Sequence, residues 1–191
     1  MKLKNLKTNY LGRNAIYYKN IDSTQKEIYR RIEKNSIING TIIFADLQTD
    51  AIGTHGRKWY TDEENNVAFS IFVELNCGIN KLEGLTLEIA KIIVHILKQK
   101  YDVELEIKEP NDIYYNNKKV GGILTEIKTN HEQVKYLIVG IGINTNKERF
   151  NKDINLVATS IIKEFGVRIS TEEFITEFCN LFELKLKECL N

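Results

Sequence analysis

The strand-forming sequence between residues 113 and 143 constrains the fold of this 191-residue chain most strongly. Two runs rich in β-branched and aromatic residues, Ile113–Tyr115 and Val120–Ile127, flank Asn116-Asn117-Lys118, which is typical of a β-hairpin. A third run, residues 135–143, is apolar enough to lie at the centre of a sheet. The block therefore predicts an antiparallel hairpin followed by a buried strand.

Shorter strands and several helices surround this block. Strands are predicted over residues 16–18, 41–45, 67–75 and 103–107. Apolar residues at helical spacing predict helices over 82–99 and 155–165. Capping patterns start two more helices, one at the Thr24–Glu27 pair and one at the Ser170–Glu173 pair. This order predicts an α+β fold, with a mixed, largely antiparallel β-sheet on which the helices pack.

Composition excludes several classes of protein. Hydrophobic residues make up 42% and charged residues 28% of the chain, as in ordinary globular domains. The net charge of +1 gives no general attraction to nucleic acid or membranes. The three cysteines fit neither a zinc motif nor a disulfide framework, and no apolar run approaches the roughly 20 residues of a membrane helix. We therefore expect one soluble, cytoplasmic domain over residues 1–191, with no DNA and no membrane partner.

Six of the eleven glycines fall in three short segments. They are Gly53 and Gly56, Gly121 and Gly122, and Gly140 and Gly142. Glycine lets a ligand approach the backbone closely, so the three segments together favour one ligand held by backbone groups. For any single pair, an ordinary turn or bulge is the simpler interpretation.

Two polar segments carry further candidate chemistry. Residues 46–66 form a long polar stretch in which Arg57 and Lys58 stand beside glycines, a combination that suits a phosphate-bearing ligand. A solvated basic turn is an equal alternative, and the stretch has no Walker spacing. In Lys108–Asp112, the aspartate could hold Mg²⁺, although a polar turn before a strand explains the segment more simply.

Taken in order along the chain, these segments resemble the motifs of the biotin protein ligase family. The matching motifs are Asp22-Ser23-Thr24, Gln48, Gly53 to Trp59, Lys108-x-Pro110-Asn111-Asp112, Lys119-Val120-Gly121-Gly122-Ile123-Leu124, Gly140-Ile141-Gly142-Ile143-Asn144 and Ala158-Thr159-Ser160. The resemblance covers roughly residues 15–190. It implies the catalytic domain of that family, with helices mainly on one face of the sheet.

The resemblance implies an ATP-dependent, adenylate-forming ligase that uses Mg²⁺. Biotin and ATP would form biotinyl-5′-AMP, and the biotin would then pass to a lysine of a biotin carboxyl carrier protein. The implied catalytic residues are Lys119, Arg57 and Asp112, with Asp112 also the metal ligand. The implied biotin-binding residues are Ser23, Thr24, Gln48, Gly53, Lys119, Gly122, Leu124, Gly140 and Gly142. The implied ATP-binding residues are Gly56, Arg57, Trp59, Asn111, Asp112 and Asn144.

The chain departs from the family pattern in the loop before Trp59. The family loop usually reads Gly-Arg-Gly-Arg-x-Gly-Arg, whereas residues 51–57 keep only the last arginine and place Thr54 and His55 within it. Glu109 also stands where tryptophan is usual. The loss of a charge-assisted hydrogen bond, about 1.5–3 kcal/mol, predicts weaker retention of the adenylate, with His55 a partial substitute.

Length is the other departure. The chain has no segment for the N-terminal winged helix or the C-terminal β-barrel of longer members, so we expect no repressor activity. Two alternatives stay open: a lipoate or octanoate transferase of the same superfamily, and a non-catalytic biotin-binding module. A homodimer that pairs through an exposed strand edge, with residues 135–143 as the example, is a further expectation.

Overall fold

A computed structural model describes residues 3–59, 66–150 and 152–191. The strands are β1 (Ala15–Ile21), β2 (Ile42–Gln48), β3 (Ala51–Ile52), β4 (Lys58–Trp59), β5 (Val67–Gly78), β6 (Glu106–Lys108), β7 (Asp112–Tyr115), β8 (Lys118–Asn130) and β9 (Gln133–Ile143). The α-helices are α1 (Thr24–Glu33), α2 (Leu85–Tyr101), α3 (Lys152–Asn155), α4 (Ile161–Phe165) and α5 (Thr171–Leu190). Together, these strands and helices form one α+β fold.

Seven of the strands form one sheet in the order β1-β2-β5-β9-β8-β7-β6, and β3 pairs separately with β4. Strands β1 and β2 are parallel, while the other five neighbouring pairs are antiparallel. The predicted mixed, largely antiparallel sheet is therefore confirmed. The expectation that residues 135–143 offer an exposed edge is wrong, because β9 is hydrogen-bonded on both sides, to β5 and β8.

Alternating side chains build a large core on one face of the sheet and a small one on the other. The large core packs α2 and α5 against residues such as Phe69 and Ile141. The small core packs Ile28 of α1 against Phe72 and Ile138. Helices lie mainly on the first face, as expected, because most of the apolar surface points there. The face that carries α1 has a smaller set of buried apolar side chains, and this leaves space for a cleft.

The hairpin between β7 and β8 forms where Asn116-Asn117 predicts it. Both asparagines adopt positive φ, 46° and 62°, which is the conformation of a tight hairpin turn and one that asparagine tolerates. The turn sets the register in which Asp112 pairs with Gly122 across the two strands. This register brings the Lys108–Asp112 motif beside the glycine pair.

Two helix predictions differ from the structure. The first helix is capped by Ser23, one residue before Thr24, since the Ser23 hydroxyl accepts the Lys26 N–H. The predicted helix over residues 155–165 is instead two helices, α3 and α4, with an extended segment between them. There the Lys119 N–H donates to the Val157 carbonyl at 2.9 Å, and the Thr159 N–H donates to the Lys119 carbonyl at 2.9 Å. These bonds to β8 replace helical ones.

A buried carboxylate ties the N-terminal segment to the last helix. Glu183 of α5 accepts the backbone N–H groups of Asn9, Tyr10 and Leu11 at 2.7, 3.1 and 3.0 Å. Burial raises the pKa of Glu183, but these hydrogen bonds and Lys187 outweigh it and leave the pKa below its ordinary value. The segment before β1 therefore packs as part of the domain.

Cys77, Cys179 and Cys189 are free thiols. Burial raises the pKa of Cys179, so this thiol behaves as a small apolar residue. Across residues 3–59, 66–150 and 152–191, no helix is both long and apolar enough to span a membrane.

Candidate ligand-binding site

A cavity of about 490 Å³, including its open mouth, lies on the face of the sheet that carries α1. Its floor is formed by β8 and β9, and the β3–β4 hairpin closes one side. Gly140 and Gly142 flank Ile141, whose side chain points into the large core, so both glycines leave space on the cavity face. Gly122 and Leu124 lie opposite them on β8. Glycine at these positions creates the space for a ligand.

The structure brings most of the predicted site residues to this cavity. Eleven of them line it: Ser23, Thr24, Gln48, Gly53, Trp59, Asn111, Lys119, Gly122, Leu124, Gly140 and Gly142. All nine predicted biotin-binding residues are in this group. Gly56, Arg57, Asp112 and Asn144 do not line the cavity wall. The role of each residue stays a prediction, but their placement around one space is a fact of the fold.

A chain of hydrogen bonds forms the buried end of the cavity, which consists of Thr24, Gln25, Gln48 and Ser70. The Gln48 side-chain oxygen accepts the Thr24 N–H at 2.8 Å and lies 3.0 Å from the Thr24 hydroxyl. The Thr24 and Ser70 hydroxyls are 2.8 Å apart, and Ser70 donates to the Gln25 oxygen at 2.9 Å. These side chains are at most 8% exposed. They form a fixed polar surface for a ligand.

The Asp22-Ser23-Thr24 turn is held in place by an ion pair. Arg30 of α1 donates to both carboxylate oxygens of Asp22 at 2.8 and 2.7 Å, and Asp22 also accepts the Ser23 N–H. The bonds from Arg30 are the main cause that lowers the pKa of Asp22 to about 2. The carboxylate thus fixes the turn that places Thr24 at the cavity.

Lys119 and Trp59 line the mouth of the cavity, and the carboxylate of Asp112 pairs with Lys119 beside it. Lys119 Nζ lies 2.6 Å from Asp112 Oδ1 and 5.8 Å from the centre of the Trp59 ring. The Trp59 ring packs on the glycine floor so closely that a Cβ on Gly142 would lie 2.7 Å from Trp59 Cε2. A Cβ on Gly122 would lie 3.3 Å from Lys119 Nζ. The mouth therefore combines a cation, which suits an anionic group, with a flat aromatic surface.

Two predicted ATP-side asparagines have different surroundings. Asn111 lines the cavity, and its Nδ2 donates to the Ile123 carbonyl at 3.1 Å. Asn144 is buried, and its Nδ2 donates to the Thr159 carbonyl at 3.2 Å. This bond holds the extended segment that pairs with Lys119. Asn144 thus has a clear supporting contact, while a contact with nucleotide stays a prediction.

The glycine-rich loop forms the tip of the β3–β4 hairpin. The Gly53 N–H donates to the Arg57 carbonyl at 2.7 Å around a short 3₁₀ turn, and Gly56 has a φ of 72°. Arg57 is exposed and makes no ion pair within the described part of the chain. Thr54 lines the cavity in the position where the family pattern has arginine. The side chain of His55 and residues 60–65 lie outside the described residues.

The metal prediction rests on one carboxylate. The described ranges contain no group of three His, Cys, Asp or Glu residues able to hold a metal ion. Mg²⁺ is commonly bound by one or two carboxylates together with substrate phosphates. Asp112 lies beside Lys119, with which it forms an ion pair, and its role as a metal ligand stays a prediction.

Sequence reasoning missed Gln25 and Ser70. Gln25 directly follows the Ser-Thr motif, and Ser70 interrupts the otherwise apolar residues 67–73. Such a break was the available signal, because a polar residue buried in a strand needs a hydrogen-bond partner. Glu126, which accepts the Gln25 Nε2–H at 2.7 Å, was also missed.

Comparison with known proteins identifies the family. Residues 17–144 match the family model described as the biotin/lipoate A/B protein ligase family. The chain belongs to this family. Among curated family members, the bifunctional ligase/repressor BirA of Bacillus subtilis is 33% identical over 185 residues, which are 96% of this chain and 57% of that protein. The chain thus spans little more than half the length of this relative.

Solved structures of family members share the fold. The biotin protein ligase from Aquifex aeolicus in complex with biotin and ATP superposes with a TM-score of 0.75 at 28% identity, covering 93% of this chain and 72% of that one. The biotin protein ligase from Leishmania major in complex with biotin gives a TM-score of 0.67 at 27% identity, covering 89% and 73%. The α+β fold expected from the resemblance is therefore confirmed.

Proposed function

We propose that this chain is the catalytic domain of an ATP-dependent biotin protein ligase. The observation that carries the proposal is the arrangement of the cavity, with a buried hydrogen-bonding end and a cationic mouth. Biotin has matching chemistry, a polar ureido ring at one end and a carboxylate at the other. The similar structure from Aquifex aeolicus is named a biotin protein ligase and holds biotin and ATP, which supports these two substrates for this chain.

In the proposed first step, a biotin carboxylate oxygen attacks the α-phosphorus of ATP and pyrophosphate leaves, which gives biotinyl-5′-AMP. Both reactants are anions, so a cation near their meeting point lowers their repulsion. Lys119 has this role, because its ammonium group lies at the mouth between Trp59 and Asp112. Binding the biotin carboxylate and the α-phosphate in one cavity accelerates the reaction further, because it brings them together in the right orientation.

We assign the nucleotide to the outer part of the cavity. Trp59 and Asn111 line this part, and the loop with Gly56 and Arg57 lies next to it, where backbone N–H groups and an exposed guanidinium suit phosphates. Asp112 would hold Mg²⁺, which supplies charge neutralisation for the phosphates. Asn144 would act on this region through the segment that it supports.

In the proposed second step, the amine of a lysine on a biotin carboxyl carrier protein attacks the acyl carbon of the adenylate. An amide bond forms, AMP leaves, and the amine loses a proton. The net charge of +1 gives no general attraction to DNA or membranes, and we expect a cytoplasmic enzyme whose macromolecular partner is the carrier protein. We expect the domain over residues 1–191 to carry both steps.

The test is biotin-dependent ATP–pyrophosphate exchange, measured with the full chain and two lysine variants. Lys119→Ala removes the cation at the mouth, and we expect at least a 100-fold loss of exchange, since a charge-assisted contact in the reaction is worth about 3 kcal/mol. Lys118→Ala is the matched control, because Lys118 does not line the cavity. We expect it to keep exchange within about twofold of the unaltered chain, since surface substitutions cost little.

The same assay separates the alternative functions. A lipoate or octanoate transferase would show no exchange with biotin, and exchange with lipoate would identify an ATP-using enzyme of that kind. A biotin-binding module would bind biotin by calorimetry without any exchange. Either result would refute the proposed ligase activity.

A further inference from the structure

Gln25 is held between two partners at the buried end of the cavity. Its Nε2 donates to the Glu126 carboxylate at 2.7 Å, and its oxygen accepts the Ser70 hydroxyl at 2.9 Å. A carboxylate only accepts hydrogen bonds, so Glu126 fixes which end of the Gln25 amide faces it. Tyr29 also hydrogen-bonds to Glu126, and burial together with the charge of Glu126 raises the pKa of Tyr29. The Gln25 oxygen is therefore directed towards Ser70 and the cavity.

The oxygen of Gln25 lies directly over the glycine floor. A Cβ on Gly140 would be 2.7 Å from this oxygen. The amide thus occupies the space that a side chain at position 140 would fill. Gln25 is one of the residues that line the cavity and is 8% exposed. A ligand that reaches the buried end meets this oxygen.

The hydrogen-bond chain at the buried end has fewer hydrogens than contacts. The hydroxyls of Thr24 and Ser70 supply two hydrogens, whereas three contacts join them to each other and to the oxygens of Gln25 and Gln48. The two hydroxyls therefore cannot fill every lone pair. The Gln25 oxygen accepts one hydrogen bond from Ser70 and keeps its second lone pair as an acceptor for a ligand. A ligand ring with N–H groups satisfies such an acceptor, and an apolar ring leaves it unpaired, which is costly in a buried site.

We propose that Gln25, oriented by Glu126, is a specificity-determining residue that selects a substrate ring with N–H donors over an apolar ring. This inference rests on the proposed function, in which the ureido ring of biotin brings two N–H groups. The dithiolane ring of lipoate brings none. Gln25 positions the chain of hydroxyls, and Glu126 prevents its amide from turning.

The test compares the kinetics of biotin and ATP in the exchange assay for variants of this pair. For Gln25→Leu we expect a KM for biotin about 3- to 10-fold higher, with the KM for ATP and kcat within about twofold, since one hydrogen bond to a substrate ring is lost. The preference for biotin over lipoate falls by a similar factor. Gln99→Leu, an exposed glutamine on α2, is the matched control and leaves all values unchanged.

Swapping the amide and the carboxylate between positions 25 and 126 gives a rescue experiment. Gln25→Glu alone places two carboxylates against each other and raises the KM for biotin more than Gln25→Leu does. Adding Glu126→Gln restores one donor and one acceptor, with an acceptor still facing Ser70, so the KM for biotin returns to within about threefold of the unaltered chain. If Gln25→Leu does not fold, as judged by thermal unfolding, the swapped pair and Glu126→Gln decide the question.

Several results would overturn the inference. An unchanged KM for biotin in Gln25→Leu would do so, and so would equal increases in both KM values, which indicate general structural damage. A KM for biotin that stays high in the double variant Gln25→Glu, Glu126→Gln would also overturn the inference. If the unaltered chain shows no exchange, the proposed function fails separately, and the same variants are compared by the calorimetric Kd for biotin. Absence of biotin binding, or equal Kd values, would then refute the role of Gln25.

Discussion

Gly142→Ala tests how closely the cavity mouth is packed. A Cβ at this position would lie 2.7, 2.8 and 2.9 Å from three atoms of the Trp59 ring, Cε2, Nε1 and Cζ2. Ordinary carbon contacts are about 3.5–4.0 Å, so the ring must move by about 1 Å. The ring is rigid and sits on β4, so the movement displaces the indole from the glycine floor and from Lys119. Overpacking by one methyl group costs about 1–3 kcal/mol.

We expect this overpacking cost to weaken ligand binding, because the free protein can relieve the close contact by turning the Trp59 ring outwards. It corresponds to about a 5- to 150-fold loss of kcat/KM for ATP in the exchange assay. Trp59 is the only tryptophan of the chain, so its fluorescence reports on the site directly. We expect the emission maximum to shift to longer wavelength as the ring enters water.

The matched control is Gly78→Ala on β5. Its Cβ would also make one short contact, 2.6 Å, but with the side-chain oxygen of Asn80, which can rotate away. We expect unchanged emission and activity for this control. If Gly142→Ala keeps both the emission maximum and kcat/KM within twofold of the unaltered chain, the close packing of Trp59 on the glycine floor does not matter for function, and the reasoning is refuted.

Two further substitutions test other parts of the account. Glu183→Gln should lower the free energy of unfolding by roughly 2–4 kcal/mol at pH 7, measured in urea, because the amide keeps only one neutral acceptor oxygen and turns an NH2 donor towards backbone N–H groups. Since the folded pKa lies below the ordinary 4.5, the carboxylate contributes fully above that pH, and the difference should shrink as the pH falls through the folded pKa; a constant difference would contradict this. Thr54→Arg adds a cation to the cavity wall and should slow release of labelled adenylate about 10- to 150-fold, by a charge-assisted bond of 1.5–3 kcal/mol. An unchanged release rate would exclude a contact between position 54 and the adenylate.

Much of the fold follows from local signals in the sequence. The central strand β9 is a continuous apolar run, and the asparagine pair at 116–117 specifies the turn that precedes β8. Helices α2 and α5 show clear apolar spacing. The segment 155–165 has the same spacing, yet its middle pairs with Lys119, because backbone groups of β8 compete successfully with helical bonds. No local pattern indicates that competition.

The glycine residues made the floor of the site predictable from the sequence. Gly122, Gly140 and Gly142 lie on the cavity floor, as expected for positions that let a ligand approach the backbone. The support behind the floor was not predictable, since Gln25 and Glu126 are 101 residues apart and only the sheet register brings them together. Motifs thus locate the residues that face the cavity, whereas the residues that orient them depend on the tertiary fold.

Transfer of labelled biotin to an isolated biotin carboxyl carrier domain tests the central claim most directly. The 191-residue chain is incubated with labelled biotin and the carrier domain, with and without ATP and Mg²⁺. We expect label to become attached to the carrier lysine only when ATP is present, and we expect Lys119→Ala to abolish the attachment. Attachment without ATP, or no attachment while the chain binds biotin, would contradict the proposed ligase.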